Sequence, residues 1–332
     1  MGGAGINAGT IPSKKLRKTA LALSEPKQNA SVWLALKNRV FFGLWLASVV
    51  SGVCVAAHDT AATWLMNISG SSTLLLSLMA TAASLPFFLF TLPAGALADL
   101  SDRRALFIAT YLWLAFAAGL LAVFSWLHLV HPYVILATVF LLGTGFAFNA
   151  PVWACVVPEI VRKEEIASAV TMGGVQMNLA GIVGPALGSL LLPIVGSPVV
   201  FSLNALAFLG AAWVVSRVYH PKKRSDPHLE HFLDSFASAL RYVRYTPGMQ
   251  VILTRDFLFG LCIAAVPALV PVVALQHFRL TGSQLGLVFT AMGIGSLLGA
   301  TLILPYARAK ATPNYSLRAI FVCNQVHGPI VI

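Results

Sequence analysis

The stretch of residues 95–104, with the sequence GALADLSDRR, joins two long apolar runs of the chain. The run before it covers residues 74–97, and the run after it covers residues 105–126. About 20 mostly apolar residues in a helix cross the ~30 Å hydrocarbon core of a bilayer. Each run is long enough, so this stretch predicts a tight charged turn between two membrane-spanning helices.

The composition of the whole chain agrees with that interpretation. Of the 332 residues, 58% are apolar and 10% are charged, whereas soluble domains are about 45–50% apolar and about 25% charged. These values exclude a disordered chain, a coiled coil and an ordinary soluble enzyme. Backbone groups that face lipid must bond within their own helix, so we expect an all-α membrane protein. Eight runs of suitable length occur, at residues 40–64, 74–97, 105–126, 133–155, 170–193, 199–217, 252–274 and 284–306.

The distribution of positive charge predicts the topology. With the N-terminus in the cytoplasm, every Lys and Arg except Arg279 falls in a cytoplasmic segment, as the positive-inside rule requires. The net charge of +11 therefore reflects topology, and we expect a lipid bilayer, and no nucleic acid, as a partner. We expect the protein to cross the cell membrane several times, and in bacteria this would be the inner membrane.

The spacing of the runs divides the chain into segments. Residues 1–39 form a basic cytoplasmic tail, and residues 40–217 hold six spans. Residues 218–251 form a cytoplasmic linker, in which apolar residues at helical spacing predict an amphipathic helix. Residues 252–306 hold two more spans, and residues 307–332 form a second cytoplasmic tail.

Four residues of the opening stretch fit a known signature. Gly95, Asp99, Arg103 and Arg104 follow the pattern G-x-L-x-D-x-x-x-R-R/K, and on this ground the sequence resembles the major facilitator superfamily. Asp99 is expected to pair with Arg103 or to meet the positive end of a facing helix, as a cytoplasmic latch that breaks when a transporter rocks. Gly95 would let another helix approach closely. A plain positively charged turn with incidental acids is the alternative.

The resemblance extends from about residue 44 to residue 305. It is closest to the branch of enterobactin-exporter-like and transmembrane secretion effector proteins. It implies a major facilitator fold, with a six-helix N-terminal half and two helices of the C-terminal half. The family fold has two six-helix halves, so on this view the chain is truncated after its eighth helix and a second chain could complete it. Val55, Ala56, Ala154 and Gly181 depart from the polar residues expected in this branch, so the polar lining should differ from that of relatives.

Proton coupling has a candidate in the first span. Asp59 is the one acidic residue within the six predicted spans of the N-terminal half, and a charge inside a bilayer is costly unless it lines a cavity. Ser48, Gly52, Val55 and Asp59 share one helical face, whereas the neighbouring His58 points to a different side. Asp59, with His58 beside it, is the candidate proton carrier. A structural or interfacial role near the outer end of the span is the alternative.

The fifth span carries closely spaced glycines. Gly181, Gly184 and Gly188 fall on one helical face, with Pro185 beside them, which predicts close helix contact and a local bend. The pattern resembles the antiporter motif of superfamily exporters, although Ser189 replaces its last glycine. The resemblance implies export, and a plain packing face is the alternative. Gly295 and Gly299 in the eighth span predict a second packing face.

Five further residues are candidates for lining a substrate cavity, and each could instead bond to a neighbouring helix. They are Asn149, Trp153, Gln176, Asn178 and Asn204. The lining is otherwise apolar, and the chain contains 20 Phe, which suits lipophilic or amphipathic substrates.

The function that these patterns predict is secondary active transport. No nucleotide-binding, hydrolase or metal-binding motif occurs in the sequence, so we expect no enzyme activity, no cofactor and no metal. Proton-coupled efflux of a lipophilic or amphipathic small molecule, such as a drug or a siderophore, is the main hypothesis. A truncated, transport-inactive membrane remnant of such a multidrug antiporter is the alternative.

Overall fold

The computed structural model describes residues 33–220, 244–245 and 247–299, and these residues are helical with no β-strand. A 3-10 turn, Leu34–Lys37, precedes the first long helix. A helical stretch, Ile166–Val218, changes direction at Gly196 and provides two helices, α5 (residues 166–195) and α6 (residues 197–218). The other helices are α1 (Arg39–Ile68), α2 (Thr73–Leu100), α3 (Arg103–Trp126), α4 (Pro132–Ile160), α7 (Pro247–Val272) and α8 (Gly282–Leu298).

Each of the eight predicted spans begins on one of these helices, so the predicted all-α architecture is confirmed. The eighth span runs on to residue 306, beyond the described residues, and α7 begins at Pro247, before the expected residue 252. The predicted amphipathic helix of the linker and the tail at residues 307–332 lie outside the described residues, as does most of the N-terminal tail.

Polar residues at the helix starts set the boundaries. In the opening stretch, α2 ends at Leu100 and the Asp102 side chain accepts a hydrogen bond from the Arg104 amide at 3.0 Å. Asn38 caps α1 in the same way, by accepting from the Val40 amide at 3.0 Å. A side-chain oxygen at this position satisfies an amide that has no partner within the helix. The predicted tight turn at residues 95–104 is therefore a helix end followed directly by a capped helix start.

Gly196 separates the fifth and sixth spans. An unbroken helix of 53 residues would be about 80 Å long at ~1.5 Å per residue, far more than a bilayer is thick. Gly196 has φ 78° and ψ 168°, a backbone region that is essentially limited to glycine. Pro198 follows, so the chain turns back at this point into α6.

The helices pack around two apolar clusters at opposite ends of the bundle. The cluster at the end that carries residues 95–104 includes Leu44, Phe107, Leu114 and Phe208. The cluster at the other end includes Ala61, Leu121, Phe201, and Leu275 and Leu285 from α7–α8. Helix α1 packs mainly on α5 and α6, α2 packs on α4, and α3 packs on α4 and α6. Helix α8 lies along α5.

Large apolar side chains also cover the outside of the bundle. Phe88 is 84% exposed, and Trp126, Leu190 and Trp213 are also exposed. Among the described residues, α1–α4 and the stretch containing α5 and α6 are long and apolar enough to cross a membrane. An apolar exterior on apolar helices of this length is typical of a bundle solvated by lipid.

Candidate functional site

An ion pair links the helices at the end of the bundle that carries the opening stretch. The Arg103 guanidinium, in the first turn of α3, donates to the Glu159 carboxylate near the end of α4. The Tyr219 hydroxyl, just after α6, donates to the other oxygen of that carboxylate at 2.6 Å. Burial raises the pKa of the Tyr219 hydroxyl, while the Arg103 charge opposes that rise. Glu159 therefore joins α3, α4 and the end of α6.

Two neighbouring contacts strengthen this junction. The Arg104 guanidinium donates to the Ser216 carbonyl oxygen on α6. The Asn38 side-chain amide donates to the Ile160 carbonyl oxygen at 2.6 Å. A cavity of about 290 Å³ opens beside these groups. We call the set Arg103, Arg104, Glu159, Ser216 and Tyr219 the polar junction.

The polar junction gives Arg103 a partner that the sequence did not predict. Arg103 is paired with the Glu159 carboxylate, whereas the Asp99 side chain lies outside the described residues, so the expected contact of Asp99 stays a prediction. No described atom lies within 4 Å of the point where a side chain at Gly95 would begin. The close helix approach expected at Gly95 is not seen among the described residues and stays a prediction.

Asp59 and His58 face different environments, as their spacing on α1 predicts. The Asp59 side chain is exposed, and its carboxylate makes no hydrogen bond or ion pair with a described residue. The His58 side chain is fully buried, with its ring centroid 4.6 Å from that of Phe201 on α6. Neither ring nitrogen of His58 has a hydrogen-bond partner among the described residues. Of the pair, only Asp59 has an exposed side chain.

The glycines of α5 hold two helices close. Gly184 lies against Ala56 of α1, and a side chain at Gly188 would begin 2.8 Å from the Ala57 carbonyl oxygen. Gly181 has open space on its own side-chain face, so it does not share this contact with α1. The Gly181 carbonyl oxygen instead lies 2.7 Å from the point where a side chain at Gly293 of α8 would begin.

Glycines of α8 complete the contact with α5. A side chain at Gly286 would begin 2.6 Å from the Pro185 carbonyl oxygen and would also meet Ser189. No described atom lies within 4 Å of the corresponding points at Gly295 and Gly299. The packing face predicted at Gly295 and Gly299 is therefore wrong for the described residues. Gly282, Gly286 and Gly293 form the packing face, which we call the glycine face of α8.

None of the five candidate cavity residues lines either of the two cavities described here, and three of them bond to neighbouring protein groups. The Asn149 amide donates to the Thr110 hydroxyl at 2.9 Å, and the Gln176 amide donates to the Ser48 carbonyl oxygen at 3.2 Å. The Asn178 amide donates to a carbonyl oxygen of its own helix. Trp153 packs near Phe107 with ring centroids 6.0 Å apart, and Asn204 is fully buried.

Contacts at the opposite end join the first helices to α7 and α8. The Thr73 hydroxyl, at the start of α2, donates to the Gln276 side-chain oxygen at 2.6 Å. Gln276 lies in a π-helical turn, Val273–His277, that ends α7, and such turns are frequent at functional sites. Trp64 of α1 lies 3.0 Å from the point where a side chain at Gly282 would begin. The sequence offered no motif for Thr73 or Gln276.

An apolar cavity lies between α7 and α8. Its volume is about 430 Å³, and each of its lining residues is apolar. The lining residues are Ala265, Val266, Leu269, Val270, Val273, Ala274, Phe278, Leu280 and Val288. A cavity of this kind can accept a lipophilic group and offers a charged group no partner from those residues.

The eight helices of the described residues, with their apolar exterior, are typical of a multi-pass membrane protein. Residues 30–325 match the family described as transmembrane secretion effector, and the chain belongs to this family of the major facilitator superfamily. The resemblance inferred from residues 95–104 is therefore confirmed.

Curated relatives carry efflux and transporter names. Macrolide efflux protein A of Streptococcus pyogenes is 22% identical over 79% of this chain and 65% of its own length. Multidrug efflux pump Tap of Mycolicibacterium fortuitum is 26% identical over 79% of this chain and 64% of its own. The staphyloferrin A transporter of Staphylococcus aureus is 22% identical over 66% of this chain and 55% of its own length. This chain thus spans less than two thirds of each of these three relatives.

A solved structure shares the fold. A bacterial homologue of the human lysosomal transporter Spinster, inward-facing and unoccupied, superposes with a TM-score of 0.58 at 14% identity. The superposition covers 87% of this chain and 72% of that chain. The predicted major facilitator fold is confirmed.

Proposed function

We propose that this protein is a secondary active transporter that exports a lipophilic or amphipathic small molecule in exchange for protons. The observation that carries the proposal is the match of residues 30–325 to a transporter family. Relatives named for macrolide efflux and for multidrug efflux support the direction of transport and the substrate class.

The proposed proton carrier is Asp59. It sits on α1 about 30 Å along the helix from Arg39, at ~1.5 Å per residue, and its carboxylate has no partner among the described residues. A charged side chain within a bilayer costs free energy. Binding of one proton neutralises the Asp59 carboxylate and lowers that cost, and release of the proton restores it. That dependence is what an exchange cycle requires of its proton carrier.

The proposed moving parts follow from the helix contacts. The polar junction ties α3, α4 and α6 together, so these three helices would move as one unit. The glycine face of α8 lets the backbones of α5 and α8 lie close, with few side chains to interlock. Major facilitator halves rock against each other around a central site, and α5–α8 would be a surface on which they slide. The antiporter-like residues Gly184 and Gly188 would then hold α1 against α5.

The proposed closing contact lies at the end opposite the polar junction. The hydrogen bond between Thr73 and Gln276 links the start of α2 to the end of α7. With the N-terminus in the cytoplasm, as the charge distribution favours, this is the outer end. The described arrangement would then be closed to the outside, with the polar junction on the cytoplasmic side.

The substrate class follows from the surfaces available. The cavity between α7 and α8 is lined by apolar residues, and half-buried Asn149, Gln176 and Asn178 bond to protein groups. Binding would therefore depend mainly on removal of apolar substrate surface from water. A siderophore-like substrate is a second candidate, because the staphyloferrin A transporter is a relative.

Accumulation by inside-out membrane vesicles tests this proposal. The 332-residue chain would be expressed in a strain without background efflux, and vesicles would be given an acidic interior with labelled erythromycin or ethidium outside. We expect accumulation above that of vesicles without the protein, and its loss when nigericin removes the pH gradient. Accumulation equal to the empty vesicles would contradict transport by this chain and would support the alternative of a transport-inactive protein or the need for a second chain.

A further inference from the structure

Two polar side chains are buried inside the six-helix half. His58 on α1 and Asn204 on α6 are each fully buried. The two ring nitrogens of His58 and both amide atoms of Asn204 have no hydrogen-bond partner among the described residues. Buried polar atoms in native proteins almost always bond to protein or to ordered water. The proposed transport cycle gives neither residue a role, and their burial calls for a partner.

The two side chains lie at nearly the same level on facing helices. The His58 ring lies 4.6 Å from the Phe201 ring, and Asn204 follows Phe201 by one turn on the same face of α6. Helices α1 and α6 are antiparallel, because Gly43 near the start of α1 lies against Val218 at the end of α6. Counted from this pair at the same rise on both helices, His58 is level with Leu203, the neighbour of Asn204, so a water molecule between the two side chains can bond to both.

The third helix at this level provides space. Gly119 of α3 lies opposite Ala205, with 3.9 Å between the Ala205 side chain and the point where one at Gly119 would begin. Ala115 and Ala118 of α3 are buried beside it. Small side chains on this wall leave more room near Asn204 than leucine or phenylalanine would.

The chemistry of the groups fits a neutral ligand. A neutral His has one donor and one acceptor, an Asn amide has both, and water offers two of each. The facing stretches of α1, α3 and α6, at residues 51–58, 111–122 and 201–212, contain no Asp, Glu, Lys or Arg, so a metal ion would have no counter-charge there. Two other polar groups lie on this face of α1: Cys54, one turn before His58, is half-buried, and the buried Ser51 hydroxyl, two turns before it, donates to a carbonyl oxygen of its own helix. We infer that His58 and Asn204 hold one or two water molecules that bridge α1 to α6 inside the bundle.

Radiolytic hydroxyl-radical labelling tests this inference on the full chain in lipid nanodiscs, without any need for transport. Radicals form where water is bound, so Phe201, although fully buried, should be oxidised several-fold faster than Phe107. Phe107 is the matched control, because it is equally buried but lies in the cluster at the other end. The double variant His58→Phe/Asn204→Leu should protect Phe201 to the level of Phe107. Equal protection of both rings in the natural chain would overturn the inference.

Thermal unfolding of the variants provides a second measurement. Each single variant, His58→Phe or Asn204→Leu, should lower Tm, because it deprives the bridging water of one partner. The double variant should lower Tm by less than the sum of the two. Thr138→Val is the control, because the buried Thr138 hydroxyl bonds to carbonyl oxygens of its own helix. The changes in Tm caused by Thr138→Val and by Asn204→Leu should therefore add. Additive effects of the His58 and Asn204 changes, or a higher Tm for either single variant, would contradict a shared water site; if a variant does not fold, the labelling of the natural chain decides.

Discussion

The Arg103 guanidinium is paired with the Glu159 carboxylate, which joins the first turn of α3 to the end of α4. Arg103 belongs to the charged turn that identifies the superfamily, and its side chain is 13% exposed. The turn therefore binds within its own six-helix half. A latch between halves would have to involve other groups of that turn.

Glu159→Gln should destabilise the protein. The change leaves the mostly buried Arg103 without its counter-charge, and the loss should be about 1–3 kcal/mol. Thermal unfolding in detergent measures it. Glu164→Gln is the matched control, because Glu164 is an exposed acid in the next turn of the chain and its change should have little effect. Equal Tm values for the two variants would contradict the structural role given to Glu159.

Gly286→Ala should disturb the contact between α5 and α8. Its side-chain carbon would meet Ser189 and the Pro185 carbonyl oxygen, and overpacking of this kind costs about 1–3 kcal/mol. Gly295→Ala changes the same residue type on the same helix at a position with open space. Thermal unfolding of the two variants measures the difference in stability. A larger loss of stability for Gly295→Ala than for Gly286→Ala would show that the packing face has been assigned to the wrong side of α8.

Gly196→Ala should destabilise the turn between α5 and α6. The backbone of Gly196 has φ 78° and ψ 168°, and a side chain in that region costs about 1–3 kcal/mol. Gly210→Ala is the control within α6, where there is open space and alanine favours the helix by up to about 1 kcal/mol. We expect Gly196→Ala to lower Tm and Gly210→Ala to raise it slightly. A neutral Gly196→Ala variant would mean that the two helices are not separated in this way.

Thr73 and Gln276 should be coupled energetically. A double-mutant cycle with Thr73→Val and Gln276→Leu should give an interaction energy of about 0.5–1.5 kcal/mol, the usual contribution of one hydrogen bond. The readout is unfolding of the single and double variants. Strict additivity would show that this hydrogen bond does not hold α2 to α7.

The sequence predicted the helices well because their signals are local. Apolar runs of about 20 residues define the spans, and Asp102 in residues 95–104 is a strong helix start. The separation of Asp59 from His58 also followed from helical spacing alone. The family resemblance added the fold, which composition could not distinguish from other bundles.

The partners of individual side chains were not predictable, because they depend on how helices meet. Gly295 and Gly299 have the same spacing as Gly282 and Gly286, and only the rotation of α8 against α5 decides which pair is packed. Glu159 gave a partial signal, since it is an acid at the end of a span on the same side as Arg103. The roles of Asp59 and of the candidate cavity residues stay predictions.

The most direct test of the central claim is a flux measurement on the purified 332-residue chain in proteoliposomes, with the natural Asp59 and with Asp59→Asn. An imposed pH gradient would drive labelled erythromycin or ethidium, and an internal dye would report proton movement. We expect the natural chain to concentrate substrate with counter-movement of protons, and Asp59→Asn to lose both responses to the gradient while keeping its fold. Unchanged gradient-driven flux and proton movement in Asp59→Asn would contradict proton coupling through this residue.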